Sequence, residues 1–372
     1  MARDAVSTTQ PLFDPAAYPP FPDDIPTVEL ETYSLARLEA GDEAHQQALL
    51  ETCKARGFFY LDLGGSSAQN MQDDADSLAR LAGEVHQLPV QEQEKYPMKG
   101  GLFGFKKAGS SRTDAAGTPD TATFFNISKD AILNPNAASN QQPALPQPII
   151  DQQPLVARYM RTAHATGLSL VSLIMARLGQ PADVLAPYHR IGAASGDHVR
   201  MTYGPPRRTS EQPEIQTPGH TDFGTITILF NWLGGLQVWS DPARGDFRNV
   251  VDPDSASAAP DGRRPVWLWV KPPPPNHAIV NLGDAAVKWT GGVLCSGRHR
   301  VVPAPGDQGK FHRFSIVYFV RPEDEAVLKR LKGPGIPELA PNEQEQEDAD
   351  GGVTAKEWIL RQARGLGLSI AD

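Results

Sequence analysis

Short apolar runs separated by turn residues fill the C-terminal half of the chain, from residue 199 to residue 320. Runs of this length suit β-strands. A parallel α/β fold would require helices between the strands, and no helical pattern stands there. The pattern therefore predicts a mainly β fold in which two sheets form a jelly roll, or double-stranded β-helix. The predicted strands are residues 200–203, 225–230, 236–239, 266–270, 278–282, 299–302 and 314–320.

The N-terminal part shows helical and strand patterns in turn, so we expect an α/β extension with helices that flank the β core. Residues 42–56 predict a helix that stops at Gly57, and the aromatic and aliphatic residues 58–63 predict a strand. Residues 68–94 are amphipathic and predict a surface helix that Pro89 kinks or divides.

A second N-terminal stretch, residues 100–153, is rich in glycine, proline, asparagine and serine and predicts hairpin-like strands with long loops. Beyond it, apolar residues recur with a period near 3.6. This spacing predicts a long scaffold helix over residues 152–178, with Asp151 as its cap. The long polar segment 241–265 is interpreted as a solvent-exposed insertion, with an active-site rim as the alternative.

The same patterns divide the chain into four regions. Near the C-terminus, Thr354 and Glu357 have the T-x-x-E spacing of a capping box, which predicts a final helix that docks on the body. The regions are an arm (1–24), a mixed helical region (25–198), the jelly-roll core (199–322) and an acidic linker with a C-terminal helix (333–372).

Composition narrows the classes of partner. The 372 residues carry 35 Lys and Arg against 44 Asp and Glu, a net charge of −9, and no basic block exceeds a pair, which argues against nucleic acid. The apolar runs are far shorter than the ~20 residues that cross a bilayer, so we expect no membrane partner. Two cysteines without metal or redox spacing favour a reduced, cytoplasmic compartment, and no feature indicates an obligate protein partner.

A histidine and a carboxylate in the core region predict a metal site. His220 and Asp222 stand two positions apart at the start of a predicted strand, where both side chains point to the same side. A third ligand must come from a distant strand, and His299 lies in another short β run. Two imidazoles and one carboxylate hold non-haem ferrous iron, but they also hold hydrolytic zinc, so the ligands alone leave oxygen chemistry and hydrolysis open.

Arg313 and Ser315 bear on the choice between these two metals. They stand at i and i+2 on the last predicted strand, and a guanidinium fork beside a hydroxyl suits a carboxylate. A zinc hydrolase has no evident need for such an anchor, so the pair favours oxygen chemistry.

With these motifs the sequence resembles the iron(II)/2-oxoglutarate-dependent dioxygenases, in the branch that contains isopenicillin N synthase. Eight elements occur in the order of that family, which is far more specific than H-x-D alone. They are residues 25–28, 57–60, Tyr203 with 205–206, 220–224 with 227–229, 235–238, 280–284, 299–301 and 313–315.

The resemblance implies an oxygenase that consumes O2 and 2-oxoglutarate, forms succinate and CO2, and oxidises a C–H bond of a small-molecule substrate of specialised metabolism. Hydroxylation, desaturation and cyclisation are all compatible outcomes, and ascorbate is the expected reductant in vitro. The implied Fe(II) ligands are His220, Asp222 and His299, and the implied cosubstrate residues are Arg313, Ser315 and Tyr203.

Two rival functions remain open at this point. An oxidase of the isopenicillin N synthase type would not use 2-oxoglutarate, and Arg313 and Ser315 would then hold the substrate's own carboxylate. A catalytically silent jelly-roll binding module would require a damaged ligand set, and all three ligands are intact. The candidate substrate-contacting residues flank the iron motifs and are Phe103, Phe105, Lys106, Phe124, Phe125, Arg200 and Phe223.

Overall fold

Two β-sheets form the centre of the molecule in a computed structural model, which describes residues 12–98, 102–113, 117–135, 144–207, 215–240, 247, 266–340 and 353–365. Within these ranges the larger sheet has the strand order β1-β2-β10-β7-β12-β5-β4-β3, and the smaller sheet has the order β6-β11-β8-β9. Every pairing is antiparallel except that of β1 with β2. The strands are β1 (Thr32–Ser34), β2 (Phe58–Asp62), β3 (Gly104–Lys106), β4 (Thr123–Ser128), β5 (His198–Gly204), β6 (Thr217–His220), β7 (Ile226–Asn231), β8 (Leu236–Ser240), β9 (Val266–Trp269), β10 (His277–Leu282), β11 (His299–Val301) and β12 (Arg313–Val320).

Helices cover one face of the larger sheet, as the mixed N-terminal pattern predicts. Within the described ranges no helix has the length and hydrophobicity to cross a bilayer. The helices are α1 (Leu35–Glu39), α2 (Glu43–Ala55), α3 (Met71–His86), α4 (Val90–Gln93), α5 (Lys129–Leu133), α6 (Gln147–Asp151), α7 (Gln153–Arg177), α8 (Asp284–Trp289) and α9 (Ala355–Gly365), with short 3-10 turns at Pro15–Ala17, Ala186–Tyr188 and Gly306–Lys310.

The two faces of the larger sheet, which we call the outer and inner faces, have different neighbours. Side chains of the outer face join the helices in the main hydrophobic core, in which Phe314, Ile316 and Tyr318 of β12 are buried. On the inner face, Val317 joins a smaller apolar cluster with Val238 of the smaller sheet. The two sheets therefore pack against each other as the predicted jelly roll, with the helices outside.

Helix α7 is the predicted scaffold helix and lies directly on the outer face. A Cβ at Gly167 would stand 2.9 Å from a methyl carbon of Val320 and 3.1 Å from one of Ile226, so only glycine permits this close approach. The predicted cap is wrong: Asp151 ends α6 and accepts a hydrogen bond from Gln147, and α7 begins after Gln152 without a side-chain cap.

The remaining local predictions have different outcomes. Residues 68–94 form two helices divided near Pro89, and α3 is amphipathic as predicted: Leu78 and Ala82 are buried against the sheet and α7, whereas Asp73, Arg80 and Glu84 are exposed. Strand β6 was not predicted, since its Pro218 and Gly219 are unusual in strands and suit only an edge position. The predicted insertion, apart from Phe247, and most of the acidic linker lie outside the described residues.

The predicted capping box is present at the start of α9. The backbone N–H of Thr354 donates to the Glu357 carboxylate, and the N–H of Glu357 donates to the Thr354 hydroxyl. Helix α9 docks through Ile359 and Ala363 against Leu102. The C-terminal helix therefore covers the body next to the segment that leads into β3.

Candidate active site

Neighbouring strands of the smaller sheet place two histidines side by side. His299 opens β11 and lies directly opposite His220, the last residue of the edge strand β6. Directly opposed residues of an antiparallel pair project to the same face, and the two imidazole centroids are 4.3 Å apart. Strand pairing therefore brings together two residues that are far apart in the sequence.

The carboxylate comes from the bend between β6 and β7 rather than from a strand. The backbone carbonyl of Asp222 accepts a hydrogen bond from the N–H of Asp284, and that of Thr225 accepts one from the N–H of Gly283. A Cβ at Gly283 would stand 2.2 Å from the carbonyl oxygen of Gly224, so the contact requires glycine. The end of β10 thus holds the bend that carries Asp222.

The three predicted metal ligands converge. Their ligand atoms lie within 4.8 Å of one another. Oδ1 of Asp222 is 3.7 Å from Nε2 of His220 and 3.9 Å from Nε2 of His299. These separations are too long for hydrogen bonds, and they suit an ion bonded to each atom at about 2.0–2.2 Å.

Hydrogen bonds to the other atoms of these side chains orient the ligands. Nδ1 of His220 donates to the carbonyl of Pro218 at 2.8 Å, and Nδ1 of His299 donates to that of Gly297 at 3.1 Å. Each ring then presents an unprotonated Nε2. Oδ2 of Asp222 accepts hydrogen bonds from Thr227 Oγ1 and Asn281 Nδ2, which leaves Oδ1 for a cation.

Burial and charge favour the metal-binding protonation states. Burial, together with the neighbouring His299, lowers the pKa of His220 to about 3. Burial alone would raise the pKa of Asp222, but His299, His220 and the hydrogen bonds from Asn281 and Thr227 lower it on balance. A neutral imidazole beside an ionised carboxylate is the form that binds a divalent cation. The donor set of two nitrogens and one oxygen fits ferrous iron.

Arg313 and Ser315 share a cavity with the three ligands. Both are buried on the inner face of β12, and Nε of Arg313 donates to the carbonyl of Gly234 at 2.8 Å. Burial lowers the pKa of Arg313 to about 10, so it stays charged at neutral pH. We call this space the Arg313 cavity; its lining also includes Phe58, Thr202, Thr227, Leu229, Asn281 and Val317.

Tyr203 is not brought to this cavity. On β5 it lies opposite Phe314, on the outer face, where its ring stacks on that of His86 with the two centroids 5.2 Å apart. Thr202 is the residue that lies opposite Ser315 and lines the cavity. A shift of one residue in a strand exchanges the two faces, so the predicted cosubstrate contact falls on the wrong side.

Four of the predicted substrate-contacting residues line a second cavity beside His220 and Asp222, which we call the Arg321 cavity. Its wall also includes Asp120, Gln216, Phe319 and Arg321. The predicted residues in this wall are Lys106, Phe124, Arg200 and Phe223.

The other three predicted substrate residues lie elsewhere. Phe105 and Phe125 pair across β3 and β4 on the outer face and belong to the main core. Phe103 packs beneath α9, with its ring 5.8 Å from that of His198. Alternation along β3 and β4 explains the first two, because each directly precedes or follows a residue of the inner face.

Several site residues had no assigned role in the sequence reasoning. Asn281 is a polar residue inside an apolar strand, and this exception was a usable signal. Thr202 alternates with Arg200, and Arg321 continues the alternation from Arg313. These signals needed knowledge of which face is the inner one.

Comparison with known proteins agrees with this geometry. Residues 195–322 match the family described as the 2OG-Fe(II) oxygenase superfamily, and residues 25–147 match the one described as non-haem dioxygenase in morphine synthesis N-terminal. A 2-oxoglutarate-dependent dioxygenase of Aspergillus fumigatus is 31% identical over 322 residues, 85% of this chain and 81% of that protein. The 2-oxoglutarate-dependent dioxygenase gloE of Glarea lozoyensis is 27% identical over 82% of this chain and 84% of that protein.

Solved structures share the fold. A 2OG-Fe(II) oxygenase family protein from Caulobacter crescentus superposes with a TM-score of 0.69 at 22% identity, over 91% of this chain and all of that one. A full-length protein of Neurospora crassa, in complex with alpha-KG, superposes with a TM-score of 0.67 at 19% identity, over 90% of this chain and 96% of that one. Together with the sequence matches, they show that this chain belongs to the 2OG-Fe(II) oxygenase superfamily and is an iron(II)- and 2-oxoglutarate-dependent dioxygenase.

Proposed function

We propose that His220, Asp222 and His299 bind Fe(II) and that Arg313 and Ser315 bind the far carboxylate of 2-oxoglutarate. One observation carries this proposal: all five side chains line the Arg313 cavity. Bound iron, with 2-oxoglutarate and O2, supplies the oxidant for a C–H bond of a small-molecule substrate. The adjoining Arg321 cavity shares His220 and Asp222 with the first, and also Phe124, Arg200, Thr217 and Phe319, which supports the proposal that a substrate in it would lie beside the iron.

The protein itself holds the metal ligands and the cosubstrate in position, and it excludes water from the cavity. The carbonyls of Pro218 and Gly297 fix the tautomer of each imidazole, and Asn281 holds the carboxylate plane. The guanidinium of Arg313 offers a fork to a carboxylate in a buried setting, where a charge-assisted hydrogen bond is strong. Apolar side chains such as Phe58 and Val317 line the Arg313 cavity and make it unfavourable for water.

The arginine and the hydroxyl favour this function over hydrolysis. A zinc hydrolase needs a metal-bound water, and it does not need a carboxylate anchor in the same cavity as the ligands. An oxidase that dispenses with 2-oxoglutarate has no specific observation in its favour. We propose that the substrate belongs to specialised metabolism and that the enzyme acts in the cytoplasm, on the basis of the family branch and the cysteine content.

The test is to combine metal binding with product analysis. Under anaerobic conditions the protein should bind Fe(II) in a one-to-one ratio, and admission of O2 should release succinate from 2-oxoglutarate. EDTA should abolish succinate release, and Fe(II) with ascorbate should restore it while Zn2+ should not. Restoration by Zn2+, or oxygen uptake without succinate, would contradict the proposal.

Ligand variants complete this test. His220→Ala and Asp222→Ala should each remove succinate release completely, because two remaining ligands do not hold the iron, while thermal unfolding shows that the fold persists. The matched control is His277→Ala, which alters a half-buried histidine at the start of β10 and should retain full activity. Full activity in either ligand variant would refute the assignment.

A further inference from the structure

Two further arginines, Arg200 and Arg321, lie on the inner face of the larger sheet beyond Arg313. The inner face of β12 presents every second residue from Arg313 onward, and Arg321 follows the last strand residue in the same alternation. Arg321 is eight positions beyond Arg313, which corresponds to about 26 Å along the backbone at roughly 3.3 Å per strand residue. Arg200 of β5 lies opposite Val317 and so projects to the same inner face. Both Arg200 and Arg321 line the Arg321 cavity, and Arg200 lines the Arg313 cavity as well.

The guanidinium of Arg321 is buried, and Asp222, Asp197 and Asp324 act on it through their charge rather than through hydrogen bonds to its Nε or Nη1. The residue is 4% exposed, and within the described part of the chain neither Nε nor Nη1 has a hydrogen-bond partner. Its guanidinium carbon stands 5.4 Å from the ring centroid of Phe319. A buried charged donor without an acceptor is costly, so such groups persist where a ligand completes them. Arg313 differs in this respect, because its Nε has the Gly234 carbonyl.

Arg200 is held in place by neutral neighbours. Its guanidinium carbon lies 4.0 Å from the ring centroid of Phe124 and 4.9 Å from that of Phe319, and its Nε donates to Asn126 Oδ1. Burial lowers the pKa of Arg200 to about 9 and that of Arg321 to about 10, so both carry charge at neutral pH. Stacking on these two rings fixes the orientation of the Arg200 guanidinium without neutralising its charge.

The acidic residues of the cavity are committed elsewhere. Asp120 is paired with the buried Lys106, and Asp222 faces the two ligand histidines. When both are bound, the two positive charges of Fe(II) cancel the two negative charges of 2-oxoglutarate. The positive charge of Arg313 then cancels the negative charge of Asp222. Two positive charges, on Arg200 and Arg321, then remain for whatever enters the cavity.

We propose that the substrate is a carboxylic acid whose carboxylate pairs with Arg321 and Arg200, and whose apolar body packs on Phe124, Phe223 and Phe319. This inference rests on the proposed function, since it assigns the substrate class of the same site. A single carboxylate can accept from two guanidinium groups, and the aromatic wall suits an apolar remainder.

The experiment uses matched acids and amides. The protein loaded with Fe(II) and 2-oxoglutarate is titrated without O2 by calorimetry, with a panel of pairs such as phenylacetate and phenylacetamide, or cinnamate and cinnamamide. We expect acids to bind at least about tenfold more tightly than their amides, since hydrogen bonds to charged groups are the stronger ones. No acid preference across the panel would overturn the inference.

Variants locate the preference. Arg321→Gln, at a residue that lines the Arg321 cavity and not the Arg313 cavity, should remove the acid preference while the dissociation constant for 2-oxoglutarate stays unchanged. Arg200→Gln should remove the acid preference as well. Arg158→Gln, which removes a charge on α7 that pairs with Asp74, should keep the preference. If Arg321→Gln weakens 2-oxoglutarate as much as it weakens the acids, the arginine binds the cosubstrate and the inference fails.

Succinate release without substrate separates this inference from the proposed function. Wild-type protein that releases succinate but shows no acid preference supports the proposed function and overturns only the substrate class. Protein that binds neither Fe(II) nor 2-oxoglutarate overturns both. The comparison of acid with amide in the wild-type protein needs no variant, so poor folding of a variant does not obscure the result.

Discussion

The two faces of the larger sheet are built from the same strands, but the outer face packs in the hydrophobic core and the inner face carries the candidate site. The outer face of β12 carries Phe314, Ile316 and Tyr318, all buried among helices. Its inner face starts with Arg313 and Ser315 and leads to a charged cavity. Because side chains alternate along a strand, each residue belongs to one face only. Neighbouring residues of one strand thereby belong to the core on one face and to the candidate site on the other, and this separation can be tested by substitution.

The largest expected effect on stability comes from the outer face. Phe314→Ala removes a ring that packs edge-on against those of Phe13 and Tyr203, and it should lower the free energy of unfolding by about 3–5 kcal/mol. The KM for 2-oxoglutarate should stay unchanged at a temperature at which the variant is folded. Urea denaturation and succinate assays measure the two quantities. A large rise in KM would show that the faces are coupled.

Arg313 directly precedes Phe314, and Arg313→Lys should have the opposite effect: a raised KM for 2-oxoglutarate rather than a loss of stability. An ammonium cannot present the guanidinium fork, and hydrogen bonds to charged groups are worth about 1.5–3 kcal/mol, so the KM for 2-oxoglutarate should rise roughly 10- to 150-fold. Succinate release at varied 2-oxoglutarate concentrations gives this value. An unchanged KM would mean that the arginine serves another group.

A smaller effect is expected from the residue that orients the carboxylate. Asn281→Leu removes the donor to Asp222 Oδ2 and should weaken Fe(II) binding by about 10- to 100-fold. The control is Ile279→Val on the same face of β10, which should leave the iron affinity unchanged. Anaerobic competition with a chelator measures both, and equal affinities in the two variants would contradict the role of Asn281.

The smallest effect concerns the outer face at low pH. Burial lowers the pKa of His86 to about 4, so the folded protein keeps this ring neutral while the unfolded chain takes up a proton below about pH 6.5. Its contribution to stability is present above that pH and is lost progressively from pH 6.5 towards pH 4. Between pH 7.5 and pH 5 the free energy of unfolding of the wild type should therefore fall by about 1–2 kcal/mol more than that of His86→Gln.

Urea denaturation at pH 7.5 and pH 5.0 measures this difference, and the other buried histidines contribute equally to both proteins. The same pH dependence in wild type and variant would show that His86 does not titrate in this range. Succinate assays at pH 7.5 should give equal KM values for 2-oxoglutarate, since the ring of His86 stacks on Tyr203 outside the Arg313 cavity.

Much of the architecture was accessible from local patterns. The strand over residues 58–63, the helix over 42–56 and the capping box at Thr354 all depend on residues close together in the sequence, and the structure places them within a residue or two. The failures share a cause. Tyr203 was assigned to the site through the family resemblance, and Phe105 because it flanks the iron motifs. Neither argument contains the face to which a strand residue projects, which depends on which side the helices cover.

The sequence by itself determined the jelly-roll class, and it predicted the three candidate metal ligands and the Arg313 and Ser315 pair, because residue types and short-range spacing carry that information. The tertiary structure alone decided that His299 lies opposite His220, that Thr202 rather than Tyr203 faces Ser315, and that Arg321 joins Arg200 in one cavity. These facts depend on strand register, which is set by contacts between residues distant along the chain and by which sheet face is buried.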